Sequence, residues 1–114
     1  MEKQIFRLIT LQEADEFIAE LPDKAREKVF YNIRKVRGGI KDPELFTKLG
    51  DSGIWEFRTA WQGMAYRLLS FWDKDSETLV VATHGFSKKT QKTPKSEIEH
   101  AKDIMKEYFK NKNK

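Results

Sequence analysis

Cysteine is absent from the 114 residues, which excludes disulfides and thiolate metal sites and suits a reducing compartment such as the cytosol. Long apolar runs are missing as well. No stretch approaches the roughly 20 residues that cross a bilayer, and the opening Met1-Glu2-Lys3-Gln4-Ile5-Phe6-Arg7 lacks the charged-then-apolar pattern of a secretory signal. The expectation is a protein that is neither exported nor membrane-spanning and that acts in the cytoplasm. Internal repeats and linkers are also lacking, and the only biased stretch is the lysine-asparagine end.

Charge is present, and it is unevenly placed. The net charge is +4, yet residues 87–114 carry nine lysines against four acids, which leaves the first 86 residues at −1. A cationic final quarter on a near-neutral body is the electrostatic footprint expected of a protein that meets a polyanion or an acidic partner. A lysine-rich solvated helix and tail would have the same composition. The length suits one domain, expected over residues 1–110, with a frayed basic tail over 111–114.

Periodicity divides the chain into elements. Gln4 to Ile9 alternates as a short strand. Thr10 and Glu13 have the capping-box spacing, and a helix with Ala14, Phe17, Ile18 and Leu21 on one stripe should follow. Pro22 then ends that helix and starts a second, striped by Ala25, Val29, Ile33 and Val36, until Gly38-Gly39 supplies a left-handed cap. Beyond Asp42-Pro43 the period changes to two, over Ile54–Ala60, Met64–Trp72 and Thr78–His84, an antiparallel meander. Thr93 as cap and Pro94 at the first position announce a last helix, with Ile98, Ala101, Met105 and Tyr108 as its apolar stripe. The fold class is α+β.

Gln62-Gly63 fits a two-residue hairpin loop. Trp61 then pairs with Met64, and Arg58 lies directly opposite Arg67. In that register Glu56, Arg58, Arg67 and Leu69 share one face of the hairpin, and Trp55, Phe57, Tyr66 and Leu68 share the other, which should be core. Two arginines opposite each other repel by a few tenths to about 1 kcal/mol and call for a carboxylate or a bound anion. An ordinary surface ion pair between Glu56 and one arginine would meet part of that need. The following stretch, His84-Gly85-Phe86-Ser87-Lys88-Lys89-Thr90-Gln91-Lys92-Thr93-Pro94, reads as a flexible, lysine-bearing passage from strand to helix. Lysines, hydroxyls and backbone donors near a helix start suit phosphate, although a solvated loop has the same composition. His84 has an ordinary pKa suited to proton transfer near neutrality, or it is a strand-end histidine bonded to backbone. His100 reads as helix surface.

Taken with Lys48-Leu49-Gly50, Ile54-Trp55-Glu56-Phe57-Arg58, Ala65-Tyr66-Arg67-Leu68-Leu69 and the His84–Pro94 stretch, the order of elements resembles the phage-derived branch of the RelE/HigB-like toxins. These are the toxic halves of bacterial type II toxin-antitoxin pairs. The resemblance covers nearly the whole chain and implies a RelE-like fold of order β-α-α-β-β-β-α. It also implies a ribosome-dependent messenger RNA endoribonuclease that uses no metal and no cofactor. A ribose 2′-hydroxyl attacks the adjacent phosphate, which requires a base, positive charge for the phosphorane, and an acid for the leaving oxygen. On this resemblance Arg67 holds the scissile phosphate, Arg58 assists, and Glu56 and His84 are the acid-base candidates. Lys88, Lys89, Lys92 and Lys48 are expected to meet RNA phosphates, and Trp61 and Phe86 to stack on bases. The tyrosine that some relatives carry near the end of the last strand is missing here, so base and acid stay unassigned.

The partners implied are messenger RNA on the ribosome and a cognate antitoxin encoded nearby, with no membrane. Two other functions fit the same residues. One is a ParE-like toxin that inhibits gyrase without cutting RNA, and the other is a non-enzymatic RNA-binding module whose arginines only position a backbone.

Overall fold

In the computed structural model, residues 4–76, 79–89 and 92–112 are described. The elements are β1 (Arg7–Thr10), α1 (Gln12–Glu20), α2 (Asp23–Arg37), β2 (Phe46–Lys48), β3 (Trp55–Trp61), β4 (Met64–Asp73), a 3-10 turn (Lys74–Ser76), β5 (Leu79–Lys88) and α3 (Lys95–Lys112). The strands form one sheet in the order β1-β5-β4-β3-β2. β1 runs parallel to β5 and every other pairing is antiparallel. The α+β class and the helical hairpin, meander and closing helix are as expected. The short β2 is an addition, since three residues are too few to reveal a period of two.

Amphipathic helices need an apolar face to cover, and the sheet offers two. Ala14 and Ile18 of α1 and Ala25, Val29, Ile33 and Val36 of α2 are buried against Phe57, Leu68, Val80 and Ala82. On the opposite face, Ile54, Leu69, Phe71, Leu79 and Val81 are buried under α3, through Ala101 with Ile98, Met105, Tyr108 and Phe109. With about 1.5–3 kcal/mol for each fully buried large apolar side chain, both layers stabilise the sheet. The helical hairpin has its own tie. The Arg26 guanidinium donates to the carbonyls of Ile18, Ala19 and Leu21 at 3.0, 3.2 and 2.8 Å, at the end of α1 where helical acceptors run short of amide donors and where Ile18 also accepts from the Leu21 amide.

Several local expectations are corrected. α1 starts after Leu11 with no side-chain cap. Thr10 donates instead to Asp15, and Glu13 accepts from His100 Nε2 at 2.8 Å, so no capping box forms. The first strand covers Arg7–Thr10 instead of Gln4–Ile9, because the Ile5 amide bonds to the Arg37 carbonyl. β5 does not stop at His84 but continues to Lys88, which places the first part of the supposed strand-to-helix passage, His84 to Lys88, inside the sheet. Thr78, Thr90 and Gln91 lie outside the described residues. Of the tail over residues 111–114, Asn111 and Lys112 lie within α3, and residues 113 and 114 are outside the described residues. Lys112 Nζ reaches the fully buried Asp73 at 2.7 Å, and Tyr108 donates to the same carboxylate at 2.7 Å. Burial, then that bond, pushes the Tyr108 phenol up to about 12, which keeps it a donor.

The hairpin register is as expected. Gln62 and Gly63 both have positive φ, at 47° and 77°, which is the backbone of a type I′ turn, and Arg58 pairs with Arg67. A bulge then changes the last strand. Leu69 pairs with His84 but Ser70 pairs with Ala82, so Thr83 is an extra residue in β5. One extra residue inverts the alternation beyond it. Val81 faces α3 before the bulge, and His84, Phe86 and Lys88 face that side after it. Gly85 consequently points at α1, where a Cβ would lie 2.1 Å from the Phe17 ring. Gly85→Ala is therefore expected to destabilise the fold by about 1–3 kcal/mol through overpacking. Phe17→Ala should be partly compensatory in the double variant. Urea denaturation of the three variants tests this, and additive losses would rule out the clash.

Candidate functional site

Alternation along β3 and β4 places Glu56, Arg58 and Arg67 on the α3 side of the sheet. Glu56 Oε1 lies 3.4 Å from Nε of both Arg58 and Arg67, so one carboxylate is shared between two cross-strand guanidiniums. This answers the repulsion inherent in the register. Glu56 Oε2 accepts from the Thr93 hydroxyl. Thr93 is thus not a helix cap, as its position suggested, but a clasp from the start of α3 onto the site. The face is also less open than a bare arginine-bearing sheet would be. Arg67 is only 2 % exposed and Glu56 3 %, whereas Arg58 keeps 25 % of its side chain accessible.

Burial, with Arg58 adding to it and Glu56 opposing it, lowers the Arg67 pKa, but a guanidinium starts so high that it stays charged. Beside the pair opens a cleft of 270 Å³ lined by Glu44, Arg58, Thr59, Ala60 and Arg67. A larger hollow of 700 Å³ between α1 and α3, which includes Leu11, Thr83, Ile104 and Tyr108, contains none of the expected site residues. Size does not locate the site; charge does.

From β5, Phe86 pairs directly with Arg67, and Lys88 pairs with Ala65, diagonal to Arg67 on the same face. Lys88 Nζ lies 5.5 Å from the centre of the Phe86 ring. His84 is buried. Its Nε2 lies 3.0 Å from Glu97 Oε1 of α3, and its Nδ1 lies 3.1 Å from Thr83 Oγ1. Burial is the main cause of a lowered His84 pKa, with the Glu97 hydrogen bond opposing it and His100 adding to it. A neutral ring donating Nε2–H to Glu97 leaves Nδ1 as an acceptor for the Thr83 hydroxyl, whose one proton is shared with the Leu69 carbonyl 3.3 Å away.

A pH dependence follows from that shift. Because the folded pKa lies below the unfolded value of about 6.5, the unfolded chain takes up the proton first as pH falls. The His84 contribution is full above that value and is lost as pH falls through it. Urea midpoints should therefore drop between about pH 7.5 and pH 5. His84→Gln should show a shallower drop, and an identical slope in both proteins would exclude His84 as the source.

Four of the expected residues, Glu56, Arg58, Arg67 and Lys88, are brought together, with Phe86 beside them and His84 one pair further along β5. Lys89 and Lys92 are exposed along the path from β5 to α3. Two residues fall elsewhere. Lys48 pairs with Trp55 and so belongs to the opposite face. Trp61 packs against the α1–α2 core with Lys28 Nζ 5.8 Å over its ring. Sequence reasoning missed Thr93 as a ligand of Glu56, Glu97 as the partner of His84, and Glu44 at the cleft. Only Thr93 had a visible signal, and the adjacent Pro94 drew it to a different role.

Two guanidiniums around a carboxylate, with an ammonium on the same face and a small cleft beside them, are an arrangement chemically able to hold an anion of phosphate type on a small α+β protein. The chain belongs to the family described as Phage derived protein Gp49-like (DUF891), whose sequence pattern matches residues 16–106. No curated protein matches it by sequence. Among solved structures it is similar to a chain of the toxin-antitoxin complex RelBE2 from Mycobacterium tuberculosis, at 18 % identity and a TM-score of 0.48, covering 73 % of this chain and 98 % of that one. Among the described residues, no helix is long and apolar enough to cross a membrane.

Proposed function

We propose that this protein is the toxin of a type II toxin-antitoxin pair and cleaves messenger RNA on the ribosome. The observation that carries this reading is the cross-strand Arg58–Glu56–Arg67 cluster beside the cleft, joined by Lys88 on the same face. Three cations outnumber the one carboxylate between them. Such an excess favours a doubly charged phosphorane over the singly charged phosphodiester from which it forms, and that difference is what accelerates a reaction.

The roles follow from position. Arg67, fixed by burial, holds the scissile phosphate, and the more accessible Arg58 guides it into the cleft. Glu56 is the carboxylate nearest that phosphate and takes the 2′-hydroxyl proton. Once protonated it no longer neutralises the guanidiniums, so their charge becomes available to the phosphorane at the moment it is needed. His84 has both ring nitrogens engaged by Thr83 and Glu97, and its role is to hold β5 and α3 together. Lys89 and Lys92 extend the positive path for RNA phosphates. The second partner is a cognate antitoxin whose acidic character suits the basic final quarter, and the setting is the cytoplasm.

The test is mapping of messenger RNA 5′ ends after purified protein is added to a translation reaction, with a ribosome-free control. New ends that require ribosomes are expected. A folded protein that produces no cuts would eliminate the nuclease reading.

A further inference from the structure

Lys88 is the one cation of the cluster without an ionic partner among the described residues. Its Nζ is shielded from solvent and meets no hydrogen-bond acceptor among them, and the Phe86 ring centre lies 5.5 Å away. A cation over an aromatic face recovers about 0.5–2 kcal/mol, less than a buried ammonium gives up in leaving water. The bulge at Thr83 is what turns this side chain toward Arg67. An unpartnered ammonium at the phosphate-holding arginine is poised for an atom that arrives with the substrate.

We infer that Lys88 is the general acid of the proposed cleavage, giving a proton from Nζ to the leaving 5′-oxygen. The inference rests on the nuclease reading above and adds a residue to it. In the step, the O2′–P bond forms and the P–O5′ bond breaks. The 2′-hydroxyl proton passes to Glu56, and an Nζ proton passes to O5′. The products are a 2′,3′-cyclic phosphate and a 5′-hydroxyl, and solvent returns the proton from Glu56 to Lys88.

The other candidates are less suited. A guanidinium does not release a proton in a protein, so Arg58 and Arg67 supply charge only. The ring nitrogens of His84 are occupied by Thr83 and Glu97. The charged groups acting on Lys88 are Arg67 from β4, Glu56 and Arg58 from β3, and Glu97 from α3. Burial first, then Arg67 and Arg58, lower its pKa, while Glu56 and Glu97 oppose them. The net lowering makes the ammonium a better acid than a solvated lysine.

The experiment compares wild type and Lys88→Arg in single-turnover cleavage on programmed ribosomes. Two messenger RNAs are used, one ordinary and one with sulfur replacing the bridging 5′-oxygen at the scissile position. A thiolate leaves without being protonated. Lys88→Arg retains the charge but cannot act as an acid, so it should cut ordinary RNA about 10²–10⁴-fold more slowly and the sulfur-bridged RNA at nearly the wild-type rate. Equal slowing on both substrates would assign Lys88 to charge or structure and overturn the inference, as would no slowing on ordinary RNA. If wild type cuts neither substrate, the nuclease reading itself fails, an outcome distinct from a wild type that cuts while the variant shows no substrate-dependent defect. Lys88→Gln, judged against its own thermal unfolding curve, should show the same sulfur rescue on top of the lost charge.

Discussion

Arg67→Ala should reduce the rate of ribosome-dependent messenger RNA cleavage by at least about 10²–10³-fold, the usual cost of removing one preorganised donor to a developing anion. The residue is 2 % exposed and is held by Glu56 at 3.4 Å, so its geometry is set before substrate arrives. The loss should appear in activity more than in folding. Without Arg67, Glu56 still faces Arg58, so the buried carboxylate keeps a cationic partner. Arg67→Lys should recover little, because a lysine offers a point charge where a planar fork is required. Mapped 5′ ends at wild-type intensity from Arg67→Ala would remove this arginine from the mechanism. A folded Arg67→Ala that still associates with ribosomes but yields no ends would separate cleavage from binding.

Glu56→Ala should have the opposite profile, with a loss of folding stability of about 3–5 kcal/mol, the range for removing one partner of a buried ion pair. The change strips the carboxylate from between Arg58 and Arg67, which are directly opposed, and deprives the Thr93 hydroxyl of its acceptor at the start of α3. Adding Arg67→Ala to Glu56→Ala should restore part of the stability, since the second change relieves the repulsion created by the first. Urea denaturation of both single variants and the double variant measures that coupling. A Glu56→Ala loss no larger than a surface substitution, about 0.5 kcal/mol, would show that the cluster does not hold the sheet together.

Both predictions depend on a register that is legible in the sequence. The Gln62-Gly63 loop admits a type I′ turn, and that choice pairs every residue of β3 with one of β4, including Arg58 with Arg67. The helical stripes are legible for a similar reason, because burial of Ala25, Val29, Ile33 and Val36 repeats at the helical period. Capping is misread at both Thr10 and Thr93. A hydroxyl before a helix has several possible acceptors: Thr10 takes the nearby Asp15, whereas Thr93 takes Glu56, which is 37 positions away in sequence and meets it only through the tertiary fold.

The sequence by itself thus determined the α+β class, the helical hairpin, the meander, the hairpin register and the grouping of Glu56, Arg58 and Arg67 on one face. Each follows from a local period or a single turn, and local preferences act wherever the chain goes. Tertiary structure alone decided that this face is covered, that Arg67 is buried, and that Thr93 and Glu97 close over it. It also decided the bulge at Thr83, which inserts one residue and turns His84, Phe86 and Lys88 toward the arginines. A bulge is set by the packing of β5 between β1 and β4, with Gly85 pressed against Phe17 on one side and α3 lying on the other. No period within β5 encodes it, because the two alternations it joins differ only in which neighbour each side chain meets.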